Sequence, residues 1–368
     1  MNSKMRKLKV GDWVEVRSKE EILRTLDRNG QLDGMPFMAE MFVFCGKRFP
    51  VYKRAHKTCD TVFPVRARRV GQAVHLETRC DGSAHGGCQA SCLIFWKEAW
   101  LKPISANSPE EAAFRAGTHH RLMNTAPSDS GCTESTALNR AELVDQAGTE
   151  PVYVCQATRL PYATTDLPWW DIRQYVEDYW SGNVGLWRII CAGIYSLFYA
   201  ISQAGIGLGP AMRWFYDKFH PLWRGTPFPR RPGAIPAGRP TPTEAINLQP
   251  GELVRIKSHE EILKTLDTDG RNRGLYFDAE EVPYCGETHR VLKRVTKIID
   301  EKTGRMQEMK TPCVILDSVI CQSRYSGCRL FCPRSIYPYW REIWLERVGP
   351  STSDALLQEG NQVATQRT

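Results

Sequence analysis

The sequence predicts an α+β fold. It consists of two homologous, small β-barrel-like domains, each with a short capped helix and a cysteine-rich metal site, and a partly helical, partly disordered connector joins them. Three observations predict this: a repeat at an offset of 240 residues, strand-like alternation inside it, and four cysteines kept in both copies. At 368 residues the chain is too long for one ordinary domain. With 42% apolar and 24% charged residues it has the composition of a globular protein, which excludes collagen-like, coiled-coil and multi-span membrane classes.

The repeat fixes the domain boundaries. Gly11-Asp12-Trp13-Val14-Glu15-Val16-Arg17-Ser18 returns as Gly251-Glu252-Leu253-Val254-Arg255-Ile256-Lys257-Ser258, and Glu20–Asp27 returns as Glu260–Asp267. The match runs on through Gly30/Gly270, Phe37/Phe277, Cys45-Gly46/Cys285-Gly286 and Lys53-Arg54/Lys293-Arg294 to Cys80/Cys321, Cys88/Cys328 and Cys92/Cys332. Two copies so far apart mean two domains, 8–104 and 248–349, rather than a solenoid. In each copy Val14/Val16 and Val254/Ile256 alternate with polar neighbours, as a half-buried strand does. Ser18 with Glu21, and Ser258 with Glu261, form the S-x-x-E box that starts a helix, and Asn29-Gly30 and Asp269-Gly270 stop it. Short strands follow, ending on Trp96–Leu101 and Trp340–Leu345. The opening strand resembles that of SH3-like barrels, where G-D-x-V-x-V is common; the resemblance spans eight residues per copy and implies a small barrel.

Between the copies, 105–150 is rich in Ser, Thr, Ala and Pro and reads as a flexible insertion. Residues 151–215 form an aromatic and apolar helical connector, 216–247 a Pro/Arg-rich linker, and 350–368 a disordered tail. No charge falls between Ile189 and Met212. This meets the length of a membrane span, although Gly205–Pro210 would break such a helix. Leu186, Ile189, Ile190, Ile194, Leu197 and Ile201 share one stripe, which also suits a buried helix or a dimer contact through 184–204. The N-terminus lacks an apolar leader, so a cytoplasmic location is expected, with peripheral or single-span membrane association as the variant.

The chemistry lies in the cysteines. Cys45, Cys80, Cys88 and Cys92, with Cys285, Cys321, Cys328 and Cys332, offer four thiolates per copy, the number for a closed metal site. The spacing lacks the paired C-x2-C of most zinc sites, so a [4Fe–4S] cluster is favoured slightly over Zn2+, one per repeat. Cys155 is a further candidate ligand for the first copy. That copy alone adds His56, Cys59 and His85, candidates for catalysis beside a basic run, Cys59 as a thiolate nucleophile and Asp60 orienting His56. Residues 1–104 hold 19 Lys and Arg against 11 Asp and Glu. Lys47, Arg48, Lys53, Arg54, Lys57, Arg66, Arg68 and Arg69 would face an acidic protein, nucleic acid or anionic membrane. No P-loop, G-x-G-x-x-G, H-E-x-x-H or G-x-S-x-G is present. The expected function is therefore a cysteine-ligated metal protein with a redox or auxiliary biosynthetic role centred on the first repeat. The alternative is a zinc-stabilised scaffold.

Overall fold

Ser18 and Ser258 cap short helices as the S-x-x-E spacing predicts. Each hydroxyl accepts from the backbone of the third helical residue, and Glu21 and Glu261 reach back to the cap. The computed structural model describes residues 7–62, 66–104, 133, 142–144, 150–204, 207–220 and 226–349. Most of the 105–150 insertion and the whole 350–368 tail therefore lie outside the described residues. Helices are α1 (Lys19–Leu23), α2 (Gln156–Ala163), α3 (Arg173–Trp180), α4 (Leu186–Gln203), α5 (Gly209–Phe219) and α6 (His259–Leu263). The chain divides into two units, one of Met1–Tyr199, Lys297–Glu308 and Gln322–Ile336, the other of the remainder.

In the first unit, Trp13–Val16 pairs antiparallel with Arg48–Pro50 on one side and Leu101–Pro103 on the other. Lys53–Arg54, Ala73–Arg79 and Leu93–Lys97 make a second antiparallel sheet, and Lys57–Cys59, Ala67–Val70 and Thr164–Leu167 a third. Val14, Val16, Ile22, Met41, Trp96 and Trp100 are sealed in its core. Phe37 meets Trp96 and Trp100 edge-on at 6.1 and 5.2 Å, an arrangement the ring quadrupoles favour. Each buried indole N–H finds a hydroxyl: Trp96 donates to Thr78 and Trp100 to Thr25. Helix α2 belongs to this core, because the Gln156 amide bonds both Phe95 N and Phe95 O.

One five-stranded sheet runs in the order Trp340–Arg341, Met306–Leu316, Thr288–Ile299, Leu253–Ile256 and Leu345–Arg347, and all of it except Lys297–Ile299 and Met306–Glu308 belongs to the second unit. Val254, Ile256, Ile262, Leu316, Trp340 and Trp344 fill its core, and Trp344 donates to Thr265.

Two expectations are corrected. The predicted barrels do not close among the described residues: the chain forms a mixed α+β fold of small, mostly antiparallel sheets and few helices. Closure needs strands long and tilted enough to pair round a ring. In the first unit the strands are short, and Val51-Tyr52 and the irregularity between His75 and Arg79 break the ladder into separate sheets. The single-span expectation also fails, since no helix among the described residues is long and apolar enough to cross a membrane.

Burial gives each unit an acid-sensitive histidine. His75 is fully enclosed, its Nδ1 bonded to Ile94 O, and burial pushes its pKa down to about 3. Burial, then Arg231, lowers His259 to about 4. The unfolded chain takes up these protons below an ordinary value near 6.5, whereas the folded chain refuses them until the depressed values are reached. Stability is thus full above pH 7 and falls as the pH drops below 6.5. Each group accounts for about 2 kcal/mol of loss by pH 5. Urea midpoints at pH 7.5 and 5.0 measure this, and His75→Phe should flatten the slope.

Candidate metal centre

The centre is built on a loop that glycine makes feasible. Gly82, at φ +77°, folds the segment after Cys80 back on itself, and a Cβ there would lie 2.0 Å from Cys88 O. His85 N and Gly87 N both donate to Gly82 O, and Cys88 N donates to His85 O, closing the turn. Cys80 N donates to Cys92 O, so the two ends of the C-x7-C-x3-C run are held side by side.

Onto this loop the turn Ala39–Phe44 lowers the buried side chain of Glu40. Its Oε1 accepts from the Cys80 thiol at 2.9 Å and lies 3.0 Å from His85 Nδ1. Among the described residues, Glu40, Cys80 and His85 form the one group of three such side chains whose ligand atoms all lie within 4.8 Å. His85 Nε2 lies 3.2 Å from Val154 O. A neutral imidazole that donates there turns the Nδ1 lone pair towards a carboxylate, two acceptors face to face. Glu40 Oε2, also buried, accepts no hydrogen bond among the described residues. A cation resolves both conflicts, and an imidazole whose far N–H is tied to a carbonyl is the usual habit of a metal-bound histidine.

Beside the triad is a cavity of about 30 Å3, lined among others by Cys80, His85, Cys88, Cys92, Cys155 and Arg334. Burial raises three of these thiols, those of Cys92 (to about 12), Cys155 (to about 11) and Cys80, with Glu40 adding to the effect on Cys80. Without a metal they stay protonated, so metal uptake must release protons. Four thiolates round one zinc at 2.3 Å would stand about 3.8 Å apart. No three cysteine sulfurs among the described residues approach within 4.8 Å of one another, so Cys80, Cys88, Cys92 and Cys155 surround the cavity more widely than that.

The remaining candidates lie elsewhere. Cys45 ends the Glu40 turn beside Glu20 and Lys19 and does not line the cavity; burial lifts its thiol to about 11. Cys285 sits by Glu281 and Glu287 in the second unit, which also holds Cys321. Cys328 and Cys332 belong to the first unit, where Cys328 is exposed and Cys332 accepts the Cys59 N–H at 3.0 Å. Cys59 itself is buried against Cys332, whose hydrogen bond, with burial, raises its pKa. His56 lies within 3.4 Å of Asp178 Oδ1 and is lowered to about 4, by burial first and then by Lys57. Of the three catalytic candidates only His85 reaches the cavity. In the basic run Arg48, Arg54, Lys57, Arg68 and Arg69 are engaged internally, with Glu15, Glu98 and Glu177, Asp178, Asp60 and Asp166, and Asp171 respectively.

Sequence reasoning missed Glu40 and Arg334. A signal for Glu40 existed, since Ala39-Glu40 returns as Ala279-Glu280; the partner it needed, His85, has no counterpart in the second copy. No family model matches the chain, and no curated protein matches it.

Proposed function

We propose that the protein is a metal-binding protein whose working centre is in the first repeat. One ion is held by Glu40, Cys80 and His85, with an open position towards Cys88, Cys92 and Cys155. The observation that carries this is the convergence of three donors of different type, the buried Glu40 and His85 and the half-buried Cys80, with an unsatisfied carboxylate oxygen among them. One thiolate, one imidazole and one carboxylate suit a borderline ion such as Zn2+, and three protein ligands with a free position are the pattern of a reactive rather than a closed zinc site. There the ion would polarise a bound water or thiol. The second repeat is the homologous copy, and its lack of a His85 equivalent suits a structural role.

A [4Fe–4S] cluster on Cys80, Cys88, Cys92 and Cys155 is the second reading, favoured by four cysteines on one cavity, spaced more widely than a single ion needs.

Anaerobic purification followed by metal, acid-labile sulfide and absorption measurements separates the two. About one zinc per chain in colourless protein supports the ion; iron and sulfide in equal amounts with a band near roughly 400 nm support the cluster. Cys80→Ser and His85→Ala should each weaken metal binding by more than about 100-fold, and Cys45→Ser should not. Apo-protein that takes up neither zinc nor cobalt refutes the ion, and protein purified without iron and sulfide that also fails to take them up refutes the cluster.

A further inference from the structure

Helix α3 is built inside out. Its Gln174 and Asp178 are buried, while Val176 and Trp180 are 50% and 66% exposed and Ile172, just ahead of the helix, is 72% exposed. Ile172, Val176, Tyr179 and Trp180 recur at the spacing of one helical face, and the exposed Trp169 and Trp170 precede them. Helix α4 repeats the arrangement: Leu186, Trp187, Ile190, Ile194 and Leu197 are exposed, while Ala192 packs inward with Val184 and Phe331. Two successive helices share a small buried cluster through Tyr175, Val184, Ile189 and Ala192, and each turns apolar side chains to water, which ask for a covering.

The charges around it indicate which covering. Helix α3 walls a cavity of about 340 Å3 lined by, among others, Lys7, Lys9, Ile172, Arg173, Val176 and Trp180. Lys9 Nζ lies 5.9 Å from the Trp180 ring. Glu177, the carboxylate among the lining residues, is shared between Lys7 and the buried Arg54, and Asp171 holds Arg173 at 2.8 and 2.9 Å, so Lys7 and Lys9 are the exposed lysines of this rim. Between Asp178 and Tyr199 the chain carries no acidic residue.

We infer that the α3–α4 face docks onto an anionic lipid surface, lying in the interface with Trp169, Trp170, Trp180 and Trp187 at headgroup depth. Exposed Trp and Tyr with basic neighbours are the composition of such interfacial elements. The helices lie on the surface, since neither can cross it.

Flotation of the full chain with vesicles of phosphatidylglycerol and phosphatidylcholine, against phosphatidylcholine alone, tests the inference. Binding is expected on the anionic vesicles, with a blue shift of tryptophan emission, and weakening as salt is raised. Ile172→Asp with Val176→Asp should lower partitioning at least tenfold at unchanged circular dichroism. Both sites are exposed, and Trp180→Ser provides a second variant should the first misfold. Absence of binding to either vesicle overturns the inference, as does binding indifferent to both variants. A dimer in solution that these variants dissolve, without vesicle binding, would assign the face to a second copy instead.

Discussion

Asp178→Ala is expected to cost the first unit about 3–5 kcal/mol, a large share of the stability a domain ordinarily has. Lys57 Nζ lies 2.6 Å from Asp178 Oδ2, and neither side chain reaches water. The ammonium is otherwise faced by the Tyr175 and Phe331 rings, 5.0 and 5.7 Å away, and by the Gln174 amide oxygen at 3.4 Å. Burial drives the partners towards neutrality, raising Asp178 to about 6 and lowering Lys57 despite the attraction between them. Without the carboxylate, the rings and one amide cannot replace the lost hydration of a charge, whereas removing both partners leaves no such charge. Lys57→Met with Asp178→Leu should therefore recover most of the loss, although His56, 3.4 Å from Asp178, loses a neighbour too. Urea unfolding of the single and double variants checks this. A loss below about 1 kcal/mol for Asp178→Ala would show that water reaches Lys57 in solution.

That pair shows why parts of the fold could not be read from the sequence. Lys57 and Asp178 are 121 residues apart. Nothing local marks either as buried, and Lys57 reads as one more cation in a basic run. Once they pair, the orientation of α3 is fixed, because Asp178 must face inward and Ile172, Val176 and Trp180 are left outside. The stripe of helix α4 was legible in the sequence, but which side of a stripe is covered is decided by neighbours. Local grammar was readable: both capping boxes, the Val14/Val16 and Val254/Ile256 strands, and the closing tryptophans all rest on contacts within a few residues or on simple alternation. Barrel closure was not, since it depends on how sheets distant in sequence register. The metal centre falls between these cases. Cys80, His85, Cys88 and Cys92 come from one loop whose glycines advertise its turn, whereas Glu40 and Cys155 arrive from separate segments, and Cys45, the residue the repeat offered instead, ends the same turn that delivers Glu40.

Arg334 joins the stability of this unit to its chemistry. The guanidinium is 2% exposed, binds Glu301 Oε1 at 2.6 Å, lines the cysteine cavity and faces both Cys59 and Cys92. Burial works against its charge, but the Glu301 carboxylate holds its pKa above the ordinary arginine value. The two halves of the pair are not equivalent, because Glu301 retains some contact with solvent and Arg334 does not. Glu301→Gln strands a buried cation and is expected to cost about 3 kcal/mol or more; Arg334→Met, of similar length, leaves a carboxylate that can rehydrate and should cost less, about 1–2 kcal/mol. Metal binding should rank the variants differently. In the cluster reading, four thiolates bring net negative charge into a site of low polarity, so loss of the guanidinium should weaken binding about tenfold, while Glu301→Gln, which removes a competing anion, should leave affinity unchanged or improve it. Competition against a chromophoric chelator, alongside urea unfolding of the same samples, gives both rankings. If the less stable variant is also the weaker metal binder, Arg334 acts only through packing and the electrostatic argument fails.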